Sequence, residues 1–179
     1  MKKRCVALLT VVMLVVCLIG CGAIREEIVA AVEESKTVDI SALVFPEGWE
    51  IDETESDETT FTYAPGGDIA SAGCMIQISE EYIGTDAVTK AVYSNPETIG
   101  GICRKTFENR GASNITLEEY GETLIGSTSV MTMEFVEDDI VTEMIAYFSY
   151  EGGYFYMVSA ADVFDTTARD IAEAVIAKD

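Results

Sequence analysis

The chain has 179 residues, 32 of them acidic and 11 basic, a formal net charge of −21 at neutral pH, and no histidine. A surface this acidic repels nucleic acid and anionic membranes, both of which are gripped by Lys and Arg. The lack of histidine removes the commonest general base, the commonest neutral metal ligand and every Ser-His or Cys-His nucleophile pair.

Lys2, Lys3 and Arg4 open the chain, and a nearly unbroken apolar run follows from Val6 to Ile19. That run is shorter than the roughly 20 residues a spanning helix needs. It has the charge and length of a secretory signal. It closes on Leu18-Ile19-Gly20-Cys21, which resembles the bacterial lipobox. The resemblance implies cleavage before Cys21, a diacylglycerol on its sulfur with palmitate-type acyl chains, and a protein held on the extracytoplasmic face of the cell membrane. Two acyl chains anchor stably where one does not, at ~0.8 kcal/mol per buried CH₂. The expected organisation is a signal over 1–20, a tether over 21–39 and one domain over 40–179. In the tether, Ile24, Ile28, Val29 and Val32 fall near one face of a short helix, among acidic neighbours. A solvated stalk and a partner-binding amphipathic helix are both compatible with that pattern.

The domain pattern begins with Ser41 to Phe45 as a strand, turned by Pro46-Glu47-Gly48 into a second at Trp49 to Asp52. Asp52 to Glu58 is expected to be a solvated loop, since its acids oppose burial. Strands are expected at Thr59 to Tyr63 and at Ala70 to Tyr82. Thr85-Asp86 has the chemistry of a helix N-cap, Asn95-Pro96 offsets the helical region, and its second piece runs from Glu97 to Arg110. Four strands follow as a meander, Ile115 to Leu124, Ser127 to Val136, Ile140 to Tyr150 and Tyr154 to Ala161. Their side chains alternate as in an antiparallel sheet. A last amphipathic helix opens at Asp165-Thr166-Thr167 and carries Ala168, Ile171, Ala172, Val175 and Ile176 on one face. Strands, helix, strands, helix define an α+β fold with helices packed on a mainly antiparallel sheet.

Val44-Phe45-Pro46-Glu47-Gly48-Trp49, the central helix, the meander and the closing helix together resemble the PsbP-like family. Phe155-Tyr156-Met157-Val158 before Phe164 fits the same pattern. The founding members of that family are extrinsic proteins of photosystem II, and bacterial relatives are often lipoproteins of unknown role. The resemblance implies an α/β/α sandwich on a central antiparallel sheet and a non-catalytic binding or assembly role. It transfers no metal or partner residue.

Cys74 shares its strand face with Ile76 and Ile78, and Cys103 shares its helix face with Ile99, Ile102 and Phe107. Both are expected in one core layer, either bridged, at ~3 kcal/mol of stabilisation in the chain-entropy model, or as two buried thiols. Glu137, Asp138 and Asp139 form an acidic turn. With the Asp52 to Glu58 loop they offer oxygen ligands for a calcium-type cation, although neither has the ligand spacing of an EF-hand. Gly66-Gly67 and Gly73 lack the Gly-Lys-Ser/Thr and following helix of a phosphate cradle. The functional expectation is a lipid-anchored module without cofactor or catalysis, attached to the membrane through Cys21. Its expected partner is an envelope protein or a basic molecule, and not nucleic acid. A cation-responsive domain is the alternative, followed by a carboxylate hydrolase.

Overall fold

Alternating side chains along four consecutive long strands decide the architecture, because the central strands of the sheet offer an apolar set to both sides. The computed structural model describes residues 38–137, 139–162 and 167–178. The leader, Cys21 and the tether lie outside the described residues, as does the cap expected at Asp165-Thr166. The strands are β1 (Trp49–Ile51), β2 (Thr60–Pro65), β3 (Cys74–Tyr82), β4 (Ser113–Thr123), β5 (Gly126–Glu137), β6 (Ile140–Glu151) and β7 (Tyr154–Asp162). They form one seven-stranded sheet in the order β1-β2-β3-β7-β6-β5-β4. Every neighbouring pair is antiparallel. The described residues also hold four α-helices: α1 (Ile69–Ala72), α2 (Ala87–Tyr93), α3 (Pro96–Glu108) and α4 (Thr167–Ile176).

The sheet carries a different core on each face. On one, Met75, Met131, Met133, Met144 and Met157 pack with Phe148, Phe155 and the inner side of α3, namely Ile99, Cys103 and Phe107. On the other, Ile76, Ile78, Ile145, Tyr147, Tyr156 and Val158 pack with Ala168, Ala172, Val175 and Ile176 of α4. Val38, Ile40 and Leu43 join this second core, so the packed chain includes Val38. Burying a set of Leu, Ile, Met or Phe side chains is worth roughly 1.5–3 kcal/mol each, which is why both helices lie flat on the sheet. At Gly100 the approach of α3 leaves no room for a side chain, since an added Cβ would stand 2.2 Å from Leu117 Cδ2.

Three local expectations change. Ser41 to Phe45 pairs with no strand. Ile40–Ala42 is a 3₁₀ turn whose Asp39 side chain accepts from Ser41 N at 3.0 Å. The expected start of β3 at Ala70 is instead the turn α1, capped by Asp68 and closed by Gly73 at φ +73°. An aspartate N-cap and a glycine in the left-handed region end a helical turn from both sides. Asp52 is also buried rather than solvated, at 6% exposure. Its carboxylate accepts from Thr54 N at 3.0 Å and Thr54 Oγ1 at 2.6 Å, and from Ile69 N at 3.3 Å. A buried carboxylate is tolerated when backbone and hydroxyl donors satisfy it, and here it ties the acidic loop to the start of α1.

β4 is the far edge of the sheet. It runs eleven residues and is irregular in its pairing with β5 between Ser113 and Thr116 and again between Glu119 and Gly121.

Candidate functional site

Among the described residues, helix α4 packs mainly on β7 and β3, reaches β6 at Tyr147, and leaves much of the β4-β5-β6 side of that sheet face exposed. Thr116, Glu118, Tyr120, Val136, Val141 and Glu143 are exposed on that side. The strand registers place side chains there in rows. Glu134 of β5 stands opposite Glu143 of β6, and Glu143 stands opposite Asp162 of β7. Side chains so paired have Cβ atoms about 4.5–5.5 Å apart, so three carboxylates cross three adjacent strands side by side. One row further toward the β5–β6 turn, Val136 faces Val141, at 59% and 47% exposure. One row the other way, Thr132, Ile145 and Ala160 stand in line. Glu134, Glu143, Ile145, Ala160 and Asp162 line a cavity of about 190 Å³, together with Arg169 from the first turn of α4.

Side-chain bonds set the rim of this cavity. Asn114 lies at φ +51°, in the irregular start of β4, and its Nδ2 donates to Glu134 Oε2 at 2.6 Å. Asparagine tolerates that left-handed backbone better than most residues, and the bulge aims its amide at the row. Arg169 Nε donates to Glu173 Oε1 at 3.2 Å, one helical turn on. The same oxygen accepts the Tyr147 hydroxyl at 2.7 Å. Burial, and then this bond to an anionic oxygen, hold the Tyr147 phenol far above its ordinary value, so it is a donor at any physiological pH. Tyr120 packs edge-on against Tyr147 with ring centroids 5.0 Å apart. Arg169 is thus held toward Glu173 through its Nε while it lines the same cavity as the three carboxylates.

Of the residues singled out in the sequence, Cys74 falls on this row and Cys103 does not. Cys74 continues the acid row on the α4 face, opposite Asp162, whereas Cys103 is buried under α3 on the other face. The expectation of one shared layer is therefore corrected: the sheet lies between the two cysteines, and no disulfide joins them. Residues Cys74, Ile76 and Ile78 share a face as expected, but α3 packs against the alternate set that begins with Met75. Burial pushes the Cys103 thiol up to about 12, which leaves no thiolate for nucleophilic chemistry near neutrality. Of the acidic turn, Asp139 is exposed at φ +65°, Asp138 lies outside the described residues, and no side-chain placement is described for Glu137. Among the described residues no group of three or more Cys, Asp or Glu is placed to hold a metal ion. No helix among them is long and apolar enough to cross a membrane.

The acid row was not singled out from the sequence, yet a signal for it exists. Glu137 stands opposite Ile140 at the end of the β5–β6 pair, and counting back from there sets Glu134 against Glu143. The Gly152-Gly153 turn sets Glu143 against Asp162 in the same way.

No family model and no curated protein matches this sequence. Among solved structures, the chain is similar to a protein from Bacteroides thetaiotaomicron VPI-5482, with 16% identity and a TM-score of 0.43, over 75% of this chain and 44% of that one. It is also similar to LpqN of Mycobacterium tuberculosis, a protein involved in cell envelope biogenesis, with 11% identity and a TM-score of 0.37, over 75% and 78% of the two chains. The chain spans less than half the length of the first of these. Likenesses this distant assign neither family nor activity, and the reading of the site rests on its own geometry.

Proposed function

We propose that this chain is a lipid-anchored bacterial module, held through Cys21 on the extracytoplasmic face of the cell membrane, that binds an envelope component without catalysis. Its fold is read as the PsbP-like sandwich. The observation that carries the binding role is the open half of the sheet, where a row of carboxylates and a cavity lie beside α4. A sheet face left exposed among the described residues, with polar groups converging on a hollow, has the form of a recognition site. General-acid work needs a carboxylate in desolvated surroundings, whereas Glu143 is exposed, and this supports binding over hydrolysis.

Two experiments test the proposal. Labelling of cells with a radioactive fatty acid should mark the wild type and not Cys21→Ala, and an unlabelled wild type would overturn the anchor. A photo-crosslinking residue at Thr132 or Val141 should yield a discrete envelope adduct, while one at Ile102, exposed on the opposite side, should not. Equal yields from both faces would remove the open half-sheet as the binding surface.

A further inference from the structure

We infer that the partner of the open sheet face is an extended basic protein segment, with a lysine or arginine on the Glu134–Glu143 pair and an apolar residue two positions along, on Val136 and Val141. This rests on the reading of that face as the binding surface. Neighbouring rows on one face of a sheet are two residues apart, roughly 6.6–6.8 Å along the strand. The rows on β5 and β6 run apolar, acidic, polar: Val136 with Val141, both exposed, then Glu134 with Glu143, then Thr132 with the buried Ile145. An extended segment laid along the strands repeats with the same two-residue period, so its alternate side chains fall on successive rows.

Charge selects the occupant. Two carboxylates directly opposite one another cost stability in the free protein, and an ammonium or guanidinium group between them removes that cost. Asn114 holds the Glu134 carboxylate in place through its 2.6 Å bond, which lowers the ordering needed on binding. A second copy of this chain would bring carboxylates against carboxylates, and an anionic lipid surface would be repelled in the same way. A bare cation would satisfy the row and make no use of the exposed valines on its flank.

The test uses the full chain in detergent micelles and the peptide acetyl-Val-Thr-Lys-Thr-Val-amide. The expected result is amide shifts confined to β5, β6 and the first turn of α4. Binding should weaken about tenfold for E134Q/E143Q, and by a similar factor when the peptide valines become threonines. No shifts would overturn the inference. So would equal binding by E134Q/E143Q, or by the threonine peptide, since either shows that the rows are not read. Calcium chloride that reproduces the same shifts more tightly than the peptide would overturn it in favour of an ion site. If the Thr132 and Val141 crosslinks persist in E134Q/E143Q cells, this inference fails while the binding face stands. If they never form, the face itself fails.

Discussion

Replacing Glu143 by Gln is expected to stabilise the protein. Glu143 is the middle member of the acid row, with Glu134 on one neighbouring strand and Asp162 on the other. Like charges directly opposite destabilise a sheet by roughly 0.2–1 kcal/mol per pair, and Gln removes two such pairs while keeping the side-chain length. The gain is about 1 kcal/mol, or about 3 °C in melting temperature for a domain of this size. Thermal melts at low salt and in molar sodium chloride check it, because screening shrinks from about 10 Å to about 3 Å over that range and should shrink the gain with it. Glu122→Gln serves as the control, since Glu122 stands opposite Ser127 and not an acid. A lower melting temperature for Glu143→Gln, a gain that ignores salt, or an equal gain for Glu122→Gln would refute the reasoning. The same substitution weakens the proposed binding, so stability and recognition should move in opposite directions, as at many functional surfaces.

Adjacent glycines of α3 should respond with opposite signs. Gly100→Ala drives a Cβ to 2.2 Å from Leu117 Cδ2 and should cost about 1–3 kcal/mol, whereas Gly101→Ala meets nothing within 4 Å and should gain about 0.5–1 kcal/mol, both read by urea denaturation. Asp52→Ala leaves the donors of Thr54 and Ile69 without their acceptor and should cost about 2–3 kcal/mol in the same assay, while a loss below about 0.5 kcal/mol would show that this tie does little. Cys103 gives a pH signature. Its folded-state thiol is held up to about 12 by burial, so the unfolded chain releases its proton first, near 8.5. The stabilisation is complete below about pH 8.5 and falls by up to about 1.4 kcal/mol per pH unit above it. Cys103→Ala should lower stability at neutral pH yet flatten the slope between pH 9 and 10, and an unchanged slope would count against a buried, protonated thiol.

The meander was legible because each of its strands alternates over nine or more residues and each turn is marked. The Gly152-Gly153 turn alone fixes the β6–β7 register. Helices α3 and α4 were legible from their apolar stripes. The sheet order was not, because β3 joins β7 through contacts more than seventy residues apart, which no local pattern encodes. That same gap misled the reading of the cysteines. Cys74 and Ile76 share a face on any strand, but which face α3 covers depends on how the chain crosses the sheet. Asp52 was misread for a related reason. Its acidic neighbours argue for solvent, and only the return of Ile69, seventeen residues on, supplies the buried donor. The acid row was legible in its register but not in its exposure, which depends on α4 lying to one side.

The free margin of the sheet limits how these molecules meet one another. A long unpaired strand invites a neighbour's strand to join it, yet β4 presents Glu118, Glu119 and Glu122 there and is kinked twice. If many copies are tethered to one membrane, as proposed, they share a thin layer in which collisions are frequent. Edge repulsion and irregular backbone would then disfavour the joining of one copy's edge strand to another's.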